Sequence, residues 1–300
     1  LPFISKVVVG SNTDDVGLNF RDVIEQISPD ILVVTEDETF KFKKQSLCKQ
    51  LGIKYKSLPK TPPKFEPIST SSIINSILTP NDAPMRVDLA GGWLDVPTHS
   101  RDDGFIVNCA ISPKVSLTNW PYEQQSGLGG SGAWALLNGK DGVASELEMG
   151  VGWQDPAVIK ETGLCVWESG KLPRLSFKRN GDLLKGRMAI QYTGNQHNTP
   201  AYCSYERDYN SLARASRIAA TGVQNNDLKL LCDGINLNYE VQIKEGMKEL
   251  TEVKTAIAKK YCGGGYGGYS VYIFYNNSER DSFVENTSNT LKIEPYINEH

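Results

Sequence analysis

Along the first eighty residues, short apolar runs alternate with stretches of helical spacing. "KVVVGS", "PDILVVTED" and "GIKYKSLP" are β-branched runs bounded by Gly, Pro, Asp or Ser. Between them, "NFRDVIEQIS" and "FKKQSLCKQLG" place apolar residues three and four apart. Strands alternating with helices predict a parallel sheet. A Pro- and Ser-rich stretch, "PKTPPKFEPISTSS", leads into a short helix predicted near Ser71–Leu78. "TPNDAP" (Thr79–Pro84) then reads as a linker, which places a domain boundary between residues 78 and 79. The chain opens on "LPFISKVVVGS", in what reads as the middle of a strand, so the natural N-terminus is expected upstream of Leu1.

The pattern changes after Met85. "MRVDLAGGW", "GFIVNCAISPKVSLTNW", "GLCVWES", "LPRLSF" and "GRMAIQYTG" read as strands. A loop and helix are expected around Gly127–Asn138. Arg207–Thr221, Leu228–Glu245 and Met247–Lys260 read as helices, the last with Leu250, Val253 and Ile257 facing a core. "CGGGYGGYSVYIFYN" reads as a Gly-rich turn running into an apolar strand. Strands and helices are mixed here without strict alternation, so residues 79–300 are expected to form an α+β domain of mixed sheets with helices.

Composition narrows the function classes. In 300 residues, 39% apolar and 22% charged content is that of a globular chain with ample core. A net charge of −3 with no Lys/Arg block does not suggest nucleic acid as a partner. No apolar stretch is long enough to span a bilayer as a helix. The six cysteines are scattered without a CxxC pair, which predicts reduced thiols and a cytoplasmic protein. Three histidines and no zinc spacing argue against structural zinc. His197 reads as a hydrogen-bonding residue, and Trp93, Trp153 and Trp167 as core or pocket-wall aromatics.

Chemistry concentrates in glycine-rich stretches. In "SGLGGSGAWALLNG" (Ser126–Gly139), glycines would let backbone N–H groups approach an anion, and the helix that follows adds unpaired N–H groups. Ser131 offers a hydroxyl to a phosphate-bound Mg²⁺. Alone, this stretch is as well read as a turn before a core helix. "KYCGGGYGGYS" alone reads as a tight hairpin. "RVDLAGGWLDVPTHS" is a strand ending in two glycines, followed by Asp95. In "VGWQDP", Asp155 alone reads as a helix cap.

Taken in order, these stretches resemble the GHMP small-molecule kinase superfamily, and within it the fucokinase and heptose kinase branch. That branch has a "DLAGGW-D-P" segment, a "GSGLGSS"-like phosphate loop, a "GGWQDQ"-like segment and a "GAGGGG"-like loop. They stand here as Asp88–Pro97, Ser126–Gly132, Gly152–Pro156 and Cys262–Tyr269. "YTGNQHNT" (Tyr192–Thr199) resembles a "TGK-R" stretch. The resemblance implies that Gly127, Leu128, Gly129, Gly130, Ser131 and Gly132 hold the ATP phosphates, with Ser131 on Mg²⁺. Glu146 and Glu148 are both candidates to complete the metal site, Glu146 preferred. Asp155 would be the catalytic base, kept ionised by Arg86. Asp95 would bind a sugar hydroxyl, and Gly264 and Gly265 would close the site on the substrate. The implied activity is transfer of the γ-phosphoryl group of ATP to a fucose- or heptose-like sugar, at the anomeric hydroxyl, in sugar-nucleotide biosynthesis. A homodimer is left open.

Departures from the pattern leave room for an impaired, ligand-binding relative. Arg86 and Gly127 stand closer in sequence than usual. Asn138–Gly152 is compressed, leaving little room for a helix carrying the metal glutamate. Gly130 and Gly132 replace Ser and Ala, and Pro156 replaces Gln. Residues 1–78 resemble the second half of a cytidylyltransferase-like (nucleotidyltransferase, Rossmann-like α/β) domain, on "PDILVVTED", "GIKYKSLPKT" and "ISTSSII". There an "ISTT"-like turn, here Ile68–Ser71, contacts nucleotide phosphates. The HxGH motif of that family does not occur in this sequence, so nucleotidyl transfer is not expected of it. A parent protein joining both activities is the third reading.

Overall fold

A computed structural model describes residues 7–8, 17–60, 79–196, 202 and 205–298. The chain divides into two compact units, Leu1–Ser69 and Thr70–His300. Of the sequence expectations, the helix near Ser71–Leu78, the Ile68–Ser71 turn and His197 lie outside the described residues.

In the first unit, helix α1 (Arg21–Ile27) precedes strand β1 (Ile31–Thr35), helix α2 (Lys41–Leu51) and strand β2 (Lys54–Leu58). The strands pair in parallel, from Ile31 opposite Lys54 to Thr35 opposite Leu58. This is the strand–helix–strand arrangement that the alternation predicts. Helix α2 buries Leu47 and Cys48 and ends where Gly52 takes a left-handed conformation.

The second unit is built on one mixed sheet. Strands β3 (Ala83–Ala90) and β4 (Phe105–Val115) pair antiparallel, and β5 (Leu164–Glu168) and β6 (Arg174–Arg179) extend the sheet beyond β4. Strand β7 (Met188–Tyr192) pairs with β9 (Tyr269–Phe274), and β9 with β8 (Ala256–Tyr261). Strand β10 (Thr290–Pro295) joins the two groups. Its first four residues pair with β7, and its last two with Ser112 and Ile111 of β4. Helices α3 (Gly130–Leu137), α4 (Gly142–Glu148) and α5 (Gln154–Glu161) stand between β4 and β5 in the chain. Helices α6 (Tyr209–Asn225) and α7 (Leu228–Lys244) pack on each other, and α8 (Asn277–Asn286) precedes β10. All eight residues of β3 are buried. Around it the core gathers Met85, Val87, Leu89, Val107, Ile111, Ile190, Val271 and Ile293.

Three expectations are corrected. The linker Thr79–Pro84 is shorter, because Ala83 and Pro84 already belong to β3 and are buried. Met247–Lys260 is not a helix: α7 ends at Lys244, residues 247–253 are irregular, and Ala256–Tyr261 is β8. Tertiary pairing overrides local helix propensity there. Gly246 turns the chain at φ +96°, Leu250 N–H donates to the Tyr239 hydroxyl at 2.7 Å, and β8 pairs with β9. Leu250 and Val253 still reach the core, among Tyr239, Tyr261, Tyr272 and Phe274. Finally, the compressed Asn138–Gly152 stretch does hold a helix. The chain leaves α3 through Gly139, and the Asp141 carboxylate caps α4 by accepting from Ala144 N–H at 3.0 Å.

Among the described residues no helix is long and apolar enough to cross a membrane. Cys48, Cys109, Cys165, Cys232 and Cys262 are free and buried.

Candidate active site

Strand alternation puts Arg86 and Asp88 on the same face of β3. Both are charged and buried in an apolar strand, so each needs a partner. Arg86, 3% exposed, meets Asp155 in the first turn of α5. Its Nε and Nη2 both lie 2.6 Å from Asp155 Oδ1, and its Nη1 donates to the Gly127 carbonyl at 2.7 Å. Burial opposes the charge of Arg86, but the carboxylates of Asp155 and Asp88 outweigh it and raise its pKa. Asp88 Oδ2 accepts from Lys260 Nζ of β8 at 2.7 Å, a fully buried ion pair.

The Ser126–Gly132 stretch forms a loop and the N-terminus of α3. Gly129 caps the helix at φ +78°, with Arg86, Ile159 and Asp155 so close that a Cβ would lie 3.0–3.3 Å from each. The first N–H groups of α3 have no intrahelical partner, and with the partial positive charge of the helix end they suit an anion. The second glycine turn packs against this loop, with Tyr269 N–H donating to the Ser126 carbonyl at 2.8 Å.

In front of the loop lies a cavity of about 830 Å³. Arg86, Asp155, Gly127, Gly129, Gly130 and Ser131 form its floor, and Trp120, Tyr122 and Trp134 its walls. A second, small cavity of about 70 Å³ adjoins it, sharing Arg86, Ser131 and Asp155. Asp95, Glu146, Gln154, Trp93 and Gly264 also line it. Asp155 therefore stands where the large cavity meets the small one.

The sequence candidates converge here with four exceptions, Leu128, Gly132, Glu148 and Gly265. Leu128 is fully buried in the hydrophobic core, and Gly132 packs against the backbone of Asp155 and Pro156 and lines neither cavity. Glu146 on α4 is buried and accepts a hydrogen bond from the Ser131 hydroxyl. Burial and the nearby Asp155 charge push its carboxyl up to about 7, against the Ser131 hydrogen bond and Arg86. Glu148, one helical step on, is exposed. Gly265 borders neither cavity and packs against Met247, while Gly264 lines the small one. Asp95, 2% exposed, accepts from Gln154 N–H at 3.0 Å and Gln154 Nε2 at 3.2 Å. Burial pushes it up to about 7, against the hydrogen bond from Gln154 N–H.

Sequence reasoning missed Trp120, Trp134 and Gln154. Trp134 carried a signal, standing in a helix directly after a phosphate-type loop. Trp153 is buried in the core, and Trp93 lines the small cavity with Arg207 3.8 Å above its ring.

Among the described residues no cluster of three His, Cys, Asp or Glu side chains forms a metal site. A phosphate-bound Mg²⁺ asks for less, one or two carboxylates besides phosphate oxygens and water. The Ser131 hydroxyl and the Glu146 carboxyl fit that, since a cation between Glu146 and Asp155 would offset their mutual repulsion.

The sequence matches no protein-family model and no curated protein. The fold does match solved kinases. A mevalonate kinase structure aligns with a TM-score of 0.54 at 11% identity, covering 71% of this chain and 98% of that one. Mevalonate kinase of L. major, in complex with R-mevalonate, gives 0.51 at 15%, covering 72% and 94%. Streptococcus pneumoniae phosphomevalonate kinase, in complex with phosphomevalonate and AMPPNP, gives 0.50 at 9%, covering 72% and 99%. The likeness is one of fold, shared with these mevalonate and phosphomevalonate kinases.

Proposed function

We propose that this chain is an ATP-dependent kinase that transfers the γ-phosphoryl group to a hydroxyl of a neutral sugar. The observation that carries this reading is the position of Asp155 at the junction of the two cavities, held by Arg86 beside the α3 loop. In the reaction, the Asp155 carboxylate takes the proton of the acceptor hydroxyl as its oxygen attacks the γ-phosphorus. The bond to the bridging oxygen breaks, and ADP leaves. Positioning and charge stabilisation do most of the work in such a transfer. The backbone N–H groups of Gly130, Ser131 and Gly132 would cradle the phosphates, and Trp120 and Trp134 would flank the base. Ser131 and Glu146 would hold Mg²⁺, which neutralises charge on the phosphate oxygens when bound.

Charge supports a sugar over the anionic acceptors seen in the mevalonate and phosphomevalonate kinase structures. Among the described residues lining the small cavity, Arg86 is the one cation, and Asp155 and the Gly127 carbonyl already engage each of its three nitrogens. Asp95, Glu146 and Asp155 face the same space. A carboxylate or phosphate there would meet acids, whereas hydroxyls can pair with them. The fucose- or heptose-like identity and the anomeric position remain part of the proposal, on the sequence resemblance. So does a nucleotidyltransferase origin for the first unit, which rests on its sequence and its parallel β1–β2 pair.

The test is ADP release from Mg-ATP with L-fucose, D-mannose and heptose-type sugars, beside Asp155→Asn. Sugar-dependent release that falls about a hundredfold or more in the variant upholds the reading. Stabilisation by nucleotide without release from any sugar identifies a binding protein instead.

A further inference from the structure

The small cavity beside Asp155 contains a polar atom without a partner. Gln154 is 7% exposed and lines that cavity. Its backbone N–H and its Nε2 are both committed to Asp95. Its Oε1 is buried with no hydrogen-bond partner. Above about pH 7, where Asp95 has lost the proton that burial holds on it, the opposite amide orientation would set Oε1 against a carboxylate, acceptor to acceptor, so hydrogen bonding there keeps Oε1 as the free atom. Buried polar groups in native proteins are nearly always paired, and an orphan in a binding cleft points to a ligand group that completes it.

We propose that Gln154 is a specificity-determining residue whose Oε1 accepts a hydrogen bond from a second hydroxyl of the acceptor, next to the one that Asp155 deprotonates. This rests on the kinase reading above. Gln154 and Asp155 are consecutive residues at the start of α5 and line the same cavity, so the groups they meet are neighbours on the acceptor. Oε1 can only accept, so its partner must carry a proton. A carbonyl, carboxylate or phosphate offers acceptors alone and leaves the atom unpaired. On the neutral sugar proposed above, that donor is a hydroxyl beside the reacting one, so the acceptor is a polyol with neighbouring hydroxyls. An analogue lacking the second one leaves Oε1 without that partner, the situation in which enzymes discriminate most strongly.

The experiment measures kcat/KM for D-mannose, L-fucose and D-glycero-D-manno-heptose, then for the monodeoxy analogues of the sugar that turns over. For D-mannose the first analogue is 2-deoxy-D-glucose. Wild type is expected to lose roughly ten- to a hundredfold on one analogue. Gln154→Met should lose a similar factor on the parent sugar and, within about twofold, nothing more on that analogue, a non-additive cycle. An equal loss on the parent and every analogue makes Gln154 merely structural and overturns the proposal, as does a wild type that tolerates every deletion. A tryptophan-fluorescence titration with Mg-ATP, reporting from Trp120 and Trp134, checks that the variant is folded. If it is not, the wild-type analogue series decides alone. If no sugar turns over, the kinase reading fails and the same sugars are tested by thermal shift. Stabilisation of wild type but not of Gln154→Met sustains the role of Gln154, and no stabilisation of wild type ends it.

Discussion

Arg86 shows how much one side chain is asked to do. It is buried on a strand, and bonds Asp155 through one edge and the carbonyl of Gly127 in the glycine loop through another. A lysine has the charge but not the planar fork. Arg86→Met is expected to cost about 3–5 kcal/mol, because Asp155 and the buried strand face lose their cation, and urea unfolding measures it. Arg86→Lys should recover much of that stability yet lower kcat by about a hundredfold, since Asp155 is no longer held in place. Asp95 gives a pH signature. Its ordinary pKa of 3.8 is raised by burial to about 7. Between those values the folded protein keeps a proton that the unfolded chain has released. Stability therefore falls as pH rises through that window, and the loss is complete above it. Asp95→Asn should flatten the fall in urea stability between pH 5 and 8 by about 1–3 kcal/mol. A fall as steep as wild type would mean that Asp95 is ionised throughout. Glu146 and Glu245, also raised to about 7 by burial, keep the remaining slope in the same direction.

The packing of α3 on α5 accounts for one departure from the resemblance, the glycine at position 132. A Cβ at position 132 would lie 2.8 Å from Pro156 N and 3.1 Å from the Asp155 carbonyl carbon. The two helix starts touch backbone to backbone, and this contact sets the distance from the glycine loop to Asp155. Gly132→Ala should cost about 1–3 kcal/mol by overpacking and lower kcat as well. Position 130 differs: its Cβ would meet the Trp120 ring at 3.5 Å and the Met85 methyl at 3.8 Å, both ordinary contacts. Gly130→Ser should therefore fold as well as wild type or slightly better, about 0.5 kcal/mol on helix propensity. ADP release and urea midpoints on the pair separate crowding from mere loss of glycine. Elements with an unbroken period, such as β1, β4, β9, α6 and α7, were legible in the sequence. The glycine loops were legible as sites because their order, more than any one of them, carried meaning. Met247–Lys260 misled because Leu250, Val253 and Ile257 do face the core, but from a loop and a strand. Local periodicity could not reveal that β9 would claim those residues. Gln154 stayed hidden because an orphaned amide oxygen is a property of its surroundings, absent from any spacing.

At the scale of the second unit, the sheet order β6-β5-β4-β10-β7-β9-β8, with β3 on β4, was beyond sequence reading. It depends on β10, whose residues divide between two partners and splice the two groups of strands. Strand β8 lies at the end of that path, yet Lys260 reaches Asp88 of β3. The Lys260 ammonium also donates to the Asp88 carbonyl at 2.9 Å. This pair ties the hairpin carrying the second glycine turn to the strand carrying Arg86. A buried ion pair is poor evidence of net stability, since desolvation offsets attraction, but losing one partner leaves a bare charge in the core. Lys260→Met is thus expected to cost about 3–5 kcal/mol in urea unfolding. Lys260→Met with Asp88→Asn, which removes both charges, should recover a large part of that cost, the non-additivity expected of a direct pair. Activity sharpens the reading. If the pair aligns the glycine turn with β3, the double variant stays folded but turns over more slowly. If its activity returns with its stability, the pair is a remnant of packing, and Arg86 is positioned by Asp155 and Gly127 alone.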